Sequence, residues 1–338
     1  MTLPRDDGYF MPAEWMPHSR CWMAWPCREA LWGDRLEMAQ DAYAEVANAI
    51  AQFEPVTMIA NPQDVAEVSL RCGSGVGCLP IPHDDSWTRD TGPSFLANTQ
   101  GELAGVAWRF NAWGQKYNEY EKDRQTATAI LEHLGLPVFA ADMVLEGGAI
   151  HVDGEGSLLT SEQCLLNPNR NPDLTRSKIE EKLRAYLGVE TIIWLNEGLI
   201  DDETDGHVDN LACFAAPGIV LALSSDDPSD ENYTALQENI DRLRGAVDAK
   251  GRSLEVIEVP QPDRMNDDHG RRLSRSYINF YIANGGIIMP SFEDAQDARA
   301  YEIIADAFPN RSVVTVAAND IAFGGGGIHC ITQQQPLV

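Results

Sequence analysis

Four consecutive glycines run into a histidine and a cysteine near the end of the chain, Gly324-Gly325-Gly326-Gly327-Ile328-His329-Cys330, and this is where covalent chemistry could be done. Glycine has no Cβ, so it tolerates positive φ and lets another group come close. The run therefore predicts Cys330 at a loop-to-strand junction with little bulk around its sulfur. Alone, such a cysteine reads more readily as a buried structural thiol. A phosphate cradle is disfavoured, because no Lys or Ser/Thr follows at Walker spacing. A second cluster is Asp205-Gly206-His207-Val208-Asp209-Asn210. In an extended segment His207 and Asp209 share a face, so an imidazole and a carboxylate would converge on one bound group; alone, the pair reads as a hydrogen-bonded structural histidine. A third, Asp84-Asp85-Ser86-Trp87-Thr88-Arg89-Asp90-Thr91-Gly92-Pro93, sets acids beside an aromatic ring. That suits a planar cation, which stacks on a π face and donates paired hydrogen bonds at its edge. The competing readings are a solvated acidic loop or divalent-metal ligands, although a calcium loop needs a longer ordered pattern. Glu146-Gly147-Gly148 supplies one more carboxylate, or merely a turn. Taken together, a cysteine, a histidine and several carboxylates with no clustered histidine set match nucleophilic attack on a positively charged carbon, for which guanidinium is the natural candidate.

Strand-like and helix-like segments alternate along the chain to hold these residues. Residues 36–53, 123–134, 174–187, 231–249 and 293–307 carry apolar side chains at helical spacing. Residues 56–60, 138–140, 191–195, 254–259 and 312–317 read as short buried strands, and the apolar run 278–289 is broken by Asn284-Gly285-Gly286, a hairpin turn. The clusters at Asp90, Glu146, His207, Asn279 and Cys330 are separated by 56, 61, 72 and 51 residues. This near-even spacing predicts a supersecondary unit used about five times, each delivering one loop to a shared centre. No low-complexity linker interrupts the pattern, so residues 1–338 are expected to form one catalytic domain.

Composition narrows the partners. The net charge of −27, from 52 acidic against 25 basic residues, opposes binding to nucleic acid or an anionic membrane; it either attracts a small cation or serves solubility alone. The seven cysteines are odd in number, scattered and never in the two-residue spacing of zinc or dithiol sites, which predicts reduced thiols. With no leader pattern at the amino terminus and no long apolar stretch, the expectation is a soluble cytoplasmic protein.

Several ordered motifs carry a resemblance that runs nearly end to end: Met11-Pro12-Ala13-Glu14-Trp15, Trp22-Met23-Ala24-Trp25-Pro26, the stretch Asp85 to Pro93, Phe110-Asn111-Ala112-Trp113-Gly114, Leu145-Glu146-Gly147-Gly148, Gly206-His207-Val208-Asp209 and Ile328-His329-Cys330-Ile331-Thr332-Gln333-Gln334-Gln335-Pro336. In these the chain resembles the agmatine deiminases of the bacterial peptidylarginine-deiminase-type family, within the guanidino-group-modifying superfamily. The resemblance implies an α/β fold, a five-bladed propeller with pseudo-fivefold symmetry and a central site. It implies hydrolysis of agmatine to N-carbamoylputrescine and ammonia, in polyamine biosynthesis or arginine degradation, with no metal or other cofactor. By the same resemblance Cys330 is the nucleophile, His207 the general acid/base and Glu146 its assistant, while Asp90, Asp209, Trp87 and Trp113 bind the substrate. Asn279 fits the spacing but receives no role. The family often carries Asn where this chain has Gly327. An arginine-specific relative would need a cation for the α-carboxylate, for which Arg89, Arg109 and Arg124 are available. The alternatives are the same chemistry on peptidyl-arginine or another alkylguanidine, a non-catalytic polyamine-binding protein, and a metallohydrolase. A homo-oligomer is compatible with all of these, and the sequence does not fix its size.

Overall fold

The computed structural model describes residues 2–338. Its sheets are small and five in number, and four of them repeat one pattern of two antiparallel strands followed by a third, parallel one. Ser94–Ala97, Leu103–Arg109 and Val138–Val144 make one such blade; His151–Val152, Ser157–Ser161 and Thr191–Leu195 the next. Ala212–Ala216, Ile219–Ser224 and Glu255–Pro260 make another, and Tyr281–Ala283, Gly286–Ser291 and Ser312–Ala317 the last of the four. A parallel pair needs a crossover, and the amphipathic helices Asp123–Leu134, Arg176–Leu187, Tyr233–Arg244 and Asp297–Ala307 supply one per blade.

The remaining sheet joins the two ends of the chain. Gln333–Pro336 pairs antiparallel with His18–Ala24, which is followed by helix Leu36–Ile50 and the parallel strands Val56–Ala60 and Val76–Pro80. The carboxyl-terminal strand thus plays the part that the first strand plays in every other blade. The helix buries Ala39, Tyr43, Val46, Ala47 and Ile50 on one face. Val56–Ala60, paired on both sides, is buried at all five positions, which is why it reads as an unbroken apolar run.

The five-unit expectation is therefore met by an α/β propeller of five blades. Asp90, Glu146, His207, Asn279 and Cys330 each lie two to five residues before the first strand of a blade. One loop from each blade consequently reaches the centre.

Element limits shift in places. The helix expected over 231–249 ends at Arg244, because Gly245 follows and Val247 instead bridges to Ser253. The helix expected from 293 starts at Asp297, whose carboxylate accepts from the backbone N–H groups of Phe292 and Asp294 and ties residues 292–296 into a turn. Among the described residues no helix is long and apolar enough to cross a membrane.

Candidate active site

Cys330, His207, Asp90, Asp209 and Glu146 are all buried and converge. Gly148 shows how closely: a Cβ there would stand 2.6 Å from His207 Nδ1, 2.9 Å from Asp209 Oδ2 and 3.0 Å from Asp90 Oδ1. Its backbone N–H also donates to Asp90 Oδ1 at 2.9 Å. Gly147 is equally constrained, since its Cβ would lie 2.1 Å from the Arg89 carbonyl oxygen. The two glycines after Glu146 are thus a packing requirement of the site. His207 and Asp209 do not sit on an extended segment as expected; Val208–Asn210 forms a 3₁₀ turn. Convergence survives because the turn is short and the neighbouring loop carries no side chain at Gly148.

The imidazole of His207 lies 3.8 Å from Asp90 Oδ1 through Nδ1 and 3.8 Å from Glu146 Oε2 through Nε2. Burial pushes its pKa down, but the charge of Asp90 and the contacts of Cys164 and Glu146 outweigh this and hold it well above the ordinary value. Both ring nitrogens, Glu146 Oε2 and Asp209 Oδ1 are buried without a hydrogen-bond partner, so these atoms are free to engage a guanidinium or a water. Glu146 is fixed through its other oxygen by Arg170 Nε at 2.7 Å. Burial raises its carboxyl, and Arg170 and His207 together outweigh this, leaving it below the usual range. Asp90 goes the other way: burial, with the charges of Asp209 and Glu146 adding to it, raises its carboxyl.

Asp90 is aimed by Trp113, whose Nε1 donates to Oδ2 at 2.8 Å. The backbone reaches that position through an unusual turn in which Ala112, Trp113, Gly114 and Gln115 have φ of 53°, 53°, 90° and 64°. Left-handed conformation in non-glycine residues costs energy and persists only where the surroundings fix it. Here Asn111 Oδ1 accepts from Gly114 N–H at 2.9 Å, and Asn111 Nδ2 donates to the Asn169 carbonyl at 2.9 Å. Trp87 forms the other aromatic wall and stacks on Trp32, 6.0 Å between centroids. Both tryptophans line one cleft with Asp90, Cys330, Tyr117 and Glu203.

The glycine run serves close packing more than backbone freedom. Only Gly325 has positive φ, 99°. A Cβ on Gly324 would lie 2.1 Å from the Trp32 ring, and one on Gly326 2.5 Å from Trp87. Cys330 Sγ lies 3.4 Å from Asp209 Oδ2 and is pushed well above its usual pKa by burial and by the carboxylates of Asp209 and Asp90.

A network that the sequence reading missed stands behind Asp209. His329 Nδ1 is 2.9 Å from Asp209 Oδ2, and its Nε2 is 3.0 Å from Glu14 Oε1. Glu14 also receives Arg89 at 3.2 Å and faces His151 at 3.6 Å. Burial raises the Glu14 carboxyl, but His329, Arg89 and His151 together draw it well below the usual range. Burial lowers the His329 pKa; Glu14 and Asp209 overcome this and raise it, and an imidazolium then donates to a carboxylate on each side. Glu14→Ala would leave the buried Arg89 guanidinium without its carboxylate and His329 with Asp209 alone. It is expected to lower stability by about 3–5 kcal/mol, read from chemical denaturation at neutral pH, where the carboxylate is ionised.

Other expected residues fall away from the centre. Asp85 pairs with Arg28 at 2.7 Å, and Asp84 takes Lys122 at 3.0 Å. Of the arginines considered for an α-carboxylate, Arg89 is committed to Glu14, while Arg109 and Arg124 lie on the surface against Asp142 and Glu121. Glu146, Cys164 and His207 bring ligand atoms within 4.8 Å of one another. The Arg170 guanidinium on Glu146 places a fixed positive charge there, which opposes a cation at that point.

The arrangement has counterparts in known proteins. A family profile described as Porphyromonas-type peptidyl-arginine deiminase matches residues 10–336. The chain is 51% identical over 338 residues to a Legionella pneumophila protein carrying a provisional agmatine deiminase name, covering 99% of this chain and 97% of that protein. It is 47% identical over 358 residues to the agmatine deiminase of Stutzerimonas stutzeri, again covering 99% and 97%. The structure of Enterococcus faecalis agmatine deiminase catalysing its reaction superposes with a TM-score of 0.96 at 38% identity, over 100% of this chain and 98% of that one. By a match that runs through all five blades, the chain belongs to the Porphyromonas-type peptidyl-arginine deiminase family.

Proposed function

We propose that the chain hydrolyses agmatine to N-carbamoylputrescine and ammonia through a covalent thiouronium on Cys330. The observation that carries this reading is the cleft itself. A sulfur, carboxylates and two indoles meet there, and among the described residues no lysine or arginine lines it. A guanidinium between Asp90 and Asp209 can pair with both buried carboxylates, while an α-carboxylate would meet Glu203, whose neighbouring cations Arg271 and Lys116 are already engaged with Glu203 and Asp205. The full-length similarity to agmatine deiminases supports the same substrate.

In the reaction, the Cys330 thiolate adds to the guanidinium carbon, which Asp90 and Asp209 hold in plane. Fixed geometry of this kind supplies several kcal/mol of barrier reduction, about 7–11 in well-oriented systems. The C–N bond to one terminal nitrogen breaks as His207 transfers its proton, ammonia leaves, and the S-alkyl thiouronium remains. Neutral His207, oriented by Glu146, then takes a proton from water as its oxygen adds to the same carbon. Collapse breaks the C–S bond and returns the thiolate, the proton on the new oxygen passes to solvent, where the released ammonia takes one up, and the ureido product departs. The carboxylates that favour imidazolium oppose thiolate, and the arriving substrate cation offsets that opposition.

The chain acts as one catalytic unit on this reading, since every blade contributes a loop and the last strand completes the first sheet. Cytoplasmic residence accords with seven free cysteines among the described residues. The test is turnover of agmatine, arginine and a blocked arginine peptide, followed as ammonia and ureido product. Turnover confined to agmatine is expected. Preference for arginine or the peptide would keep the chemistry and overturn the substrate, and no turnover of any guanidine would favour a polyamine-binding role.

A further inference from the structure

Four of the five central loops have a part in the reaction above, and the fourth in chain order, carrying Asn279, has none. Its side chain nevertheless lies within hydrogen-bond distance of the nucleophile. Asn279 Oδ1 accepts from the backbone N–H of His329 at 2.9 Å and of Cys330 at 3.3 Å. With the oxygen engaged by two donors, the amide can point only one way, because a flip would set NH₂ against N–H groups. The nitrogen therefore faces Cys330 Sγ at 3.1 Å and Asn210 Oδ1 at 3.0 Å. Gly327 makes room for this. Its φ is not positive, yet a Cβ there would lie 2.4 Å from Asn279 Oδ1 and 2.8 Å from Cγ, so any side chain at 327 would drive the amide away.

We infer that Asn279 is a further catalytic residue: its amide donates to the Cys330 sulfur and stabilises the thiolate, and in this chain the bare Gly327 leaves the amide room to reach. The inference rests on Cys330 being the nucleophile. A thiolate here lies against Asp209 and within the field of Asp90, so a donor that needs no reorganisation is worth more than it would be in water. The Gly327 backbone N–H acts in the same sense, and the two donors oppose the carboxylates.

The experiment is iodoacetamide alkylation of the full-length protein as a function of pH, read by mass spectrometry on the Cys330 peptide. Wild type would be compared with Asn279→Ala, Asn279→Asp and Gly327→Ala, and agmatine kinetics measured in parallel. Alkylation requires no guanidine turnover, so a failed substrate assignment and a failed role for Asn279 are separable. Loss of a hydrogen bond to a charged group predicts a midpoint about one pH unit or more higher and a rate at fixed pH about tenfold or more lower in Asn279→Ala. Gly327→Ala should follow it. Asn279→Asp keeps the acceptor for both N–H groups but turns a charge toward sulfur, and should shift furthest. In all three kcat falls while KM for agmatine changes little. If Asn279→Ala is folded and its alkylation midpoint is that of wild type, the amide only braces the loop and the inference is wrong. If Asn279→Ala does not fold, an unshifted Asn279→Asp overturns it equally.

Discussion

Cys330→Ala should lower kcat for agmatine by about 10⁴-fold or more while the protein still binds agmatine. Nothing else near the guanidinium site can form the bond that the reaction needs: Cys164 is buried behind His207, and its pKa is raised, by burial before anything else. Binding survives because Asp90 and Asp209 do not depend on the sulfur for their positions. Asp90 is held by Trp113 and the Gly148 N–H, and Asp209 by His329. The thiolate and the substrate cation favour one another, so losing the sulfur should leave affinity for the cation equal or modestly lower. Calorimetric titration of the variant with agmatine, beside a steady-state ammonia assay, measures both. Residual activity within tenfold of wild type would rule out nucleophilic catalysis by this residue.

His207→Gln carries the second large effect, a fall in kcat of about 10²–10⁴-fold, the range associated with a lost general acid/base. Its pH signature is separable from a structural defect. The carboxylates of Asp90 and Glu146 hold the ring's pKa well above the ordinary value despite burial, so the proton that departing ammonia needs is present through neutral pH. A raised pKa means full competence below it and loss as pH climbs through it. In wild type an alkaline limb of kcat/KM should therefore belong to His207, and in His207→Gln that limb should vanish with the activity. A variant that keeps the limb would assign it to another group.

Much of the centre was legible because its residues recur at a near-constant interval. One loop per blade is a geometric consequence of five similar units around an axis, and the interval survives even though the units share little sequence. The individual types were legible too: a cysteine in glycines, a histidine two residues from an aspartate, an aspartate beside a tryptophan. What could not be read is what depends on partners far apart in the chain. Glu14 meets His329 across 315 positions and Arg89 across 75. Neither contact leaves a periodicity or spacing. Glu146 looked like a strand-end carboxylate, and its anchoring by Arg170, 24 positions on, comes from the crossover segment of the blade that Glu146 precedes. The left-handed turn at Ala112–Gln115 was hidden for another reason. Ala, Trp and Gln avoid that conformation, so only the tertiary contacts of Asn111 and Asn169 disclose it. The extended geometry assumed for His207 and Asp209 failed because a two-residue spacing also fits a 3₁₀ turn when the opposing loop is as bare as Gly148.

The measurement that bears most directly on the central claim is an acid quench of the protein with agmatine during turnover, followed by mass spectrometry of the intact chain and its peptides. The account predicts an adduct on Cys330 with the mass of agmatine less ammonia, which forms at least as fast as kcat and is absent in Cys330→Ala. Turnover to ammonia and the ureido product with no such adduct, under a quench fast enough to trap it, or an adduct on another residue, would contradict it.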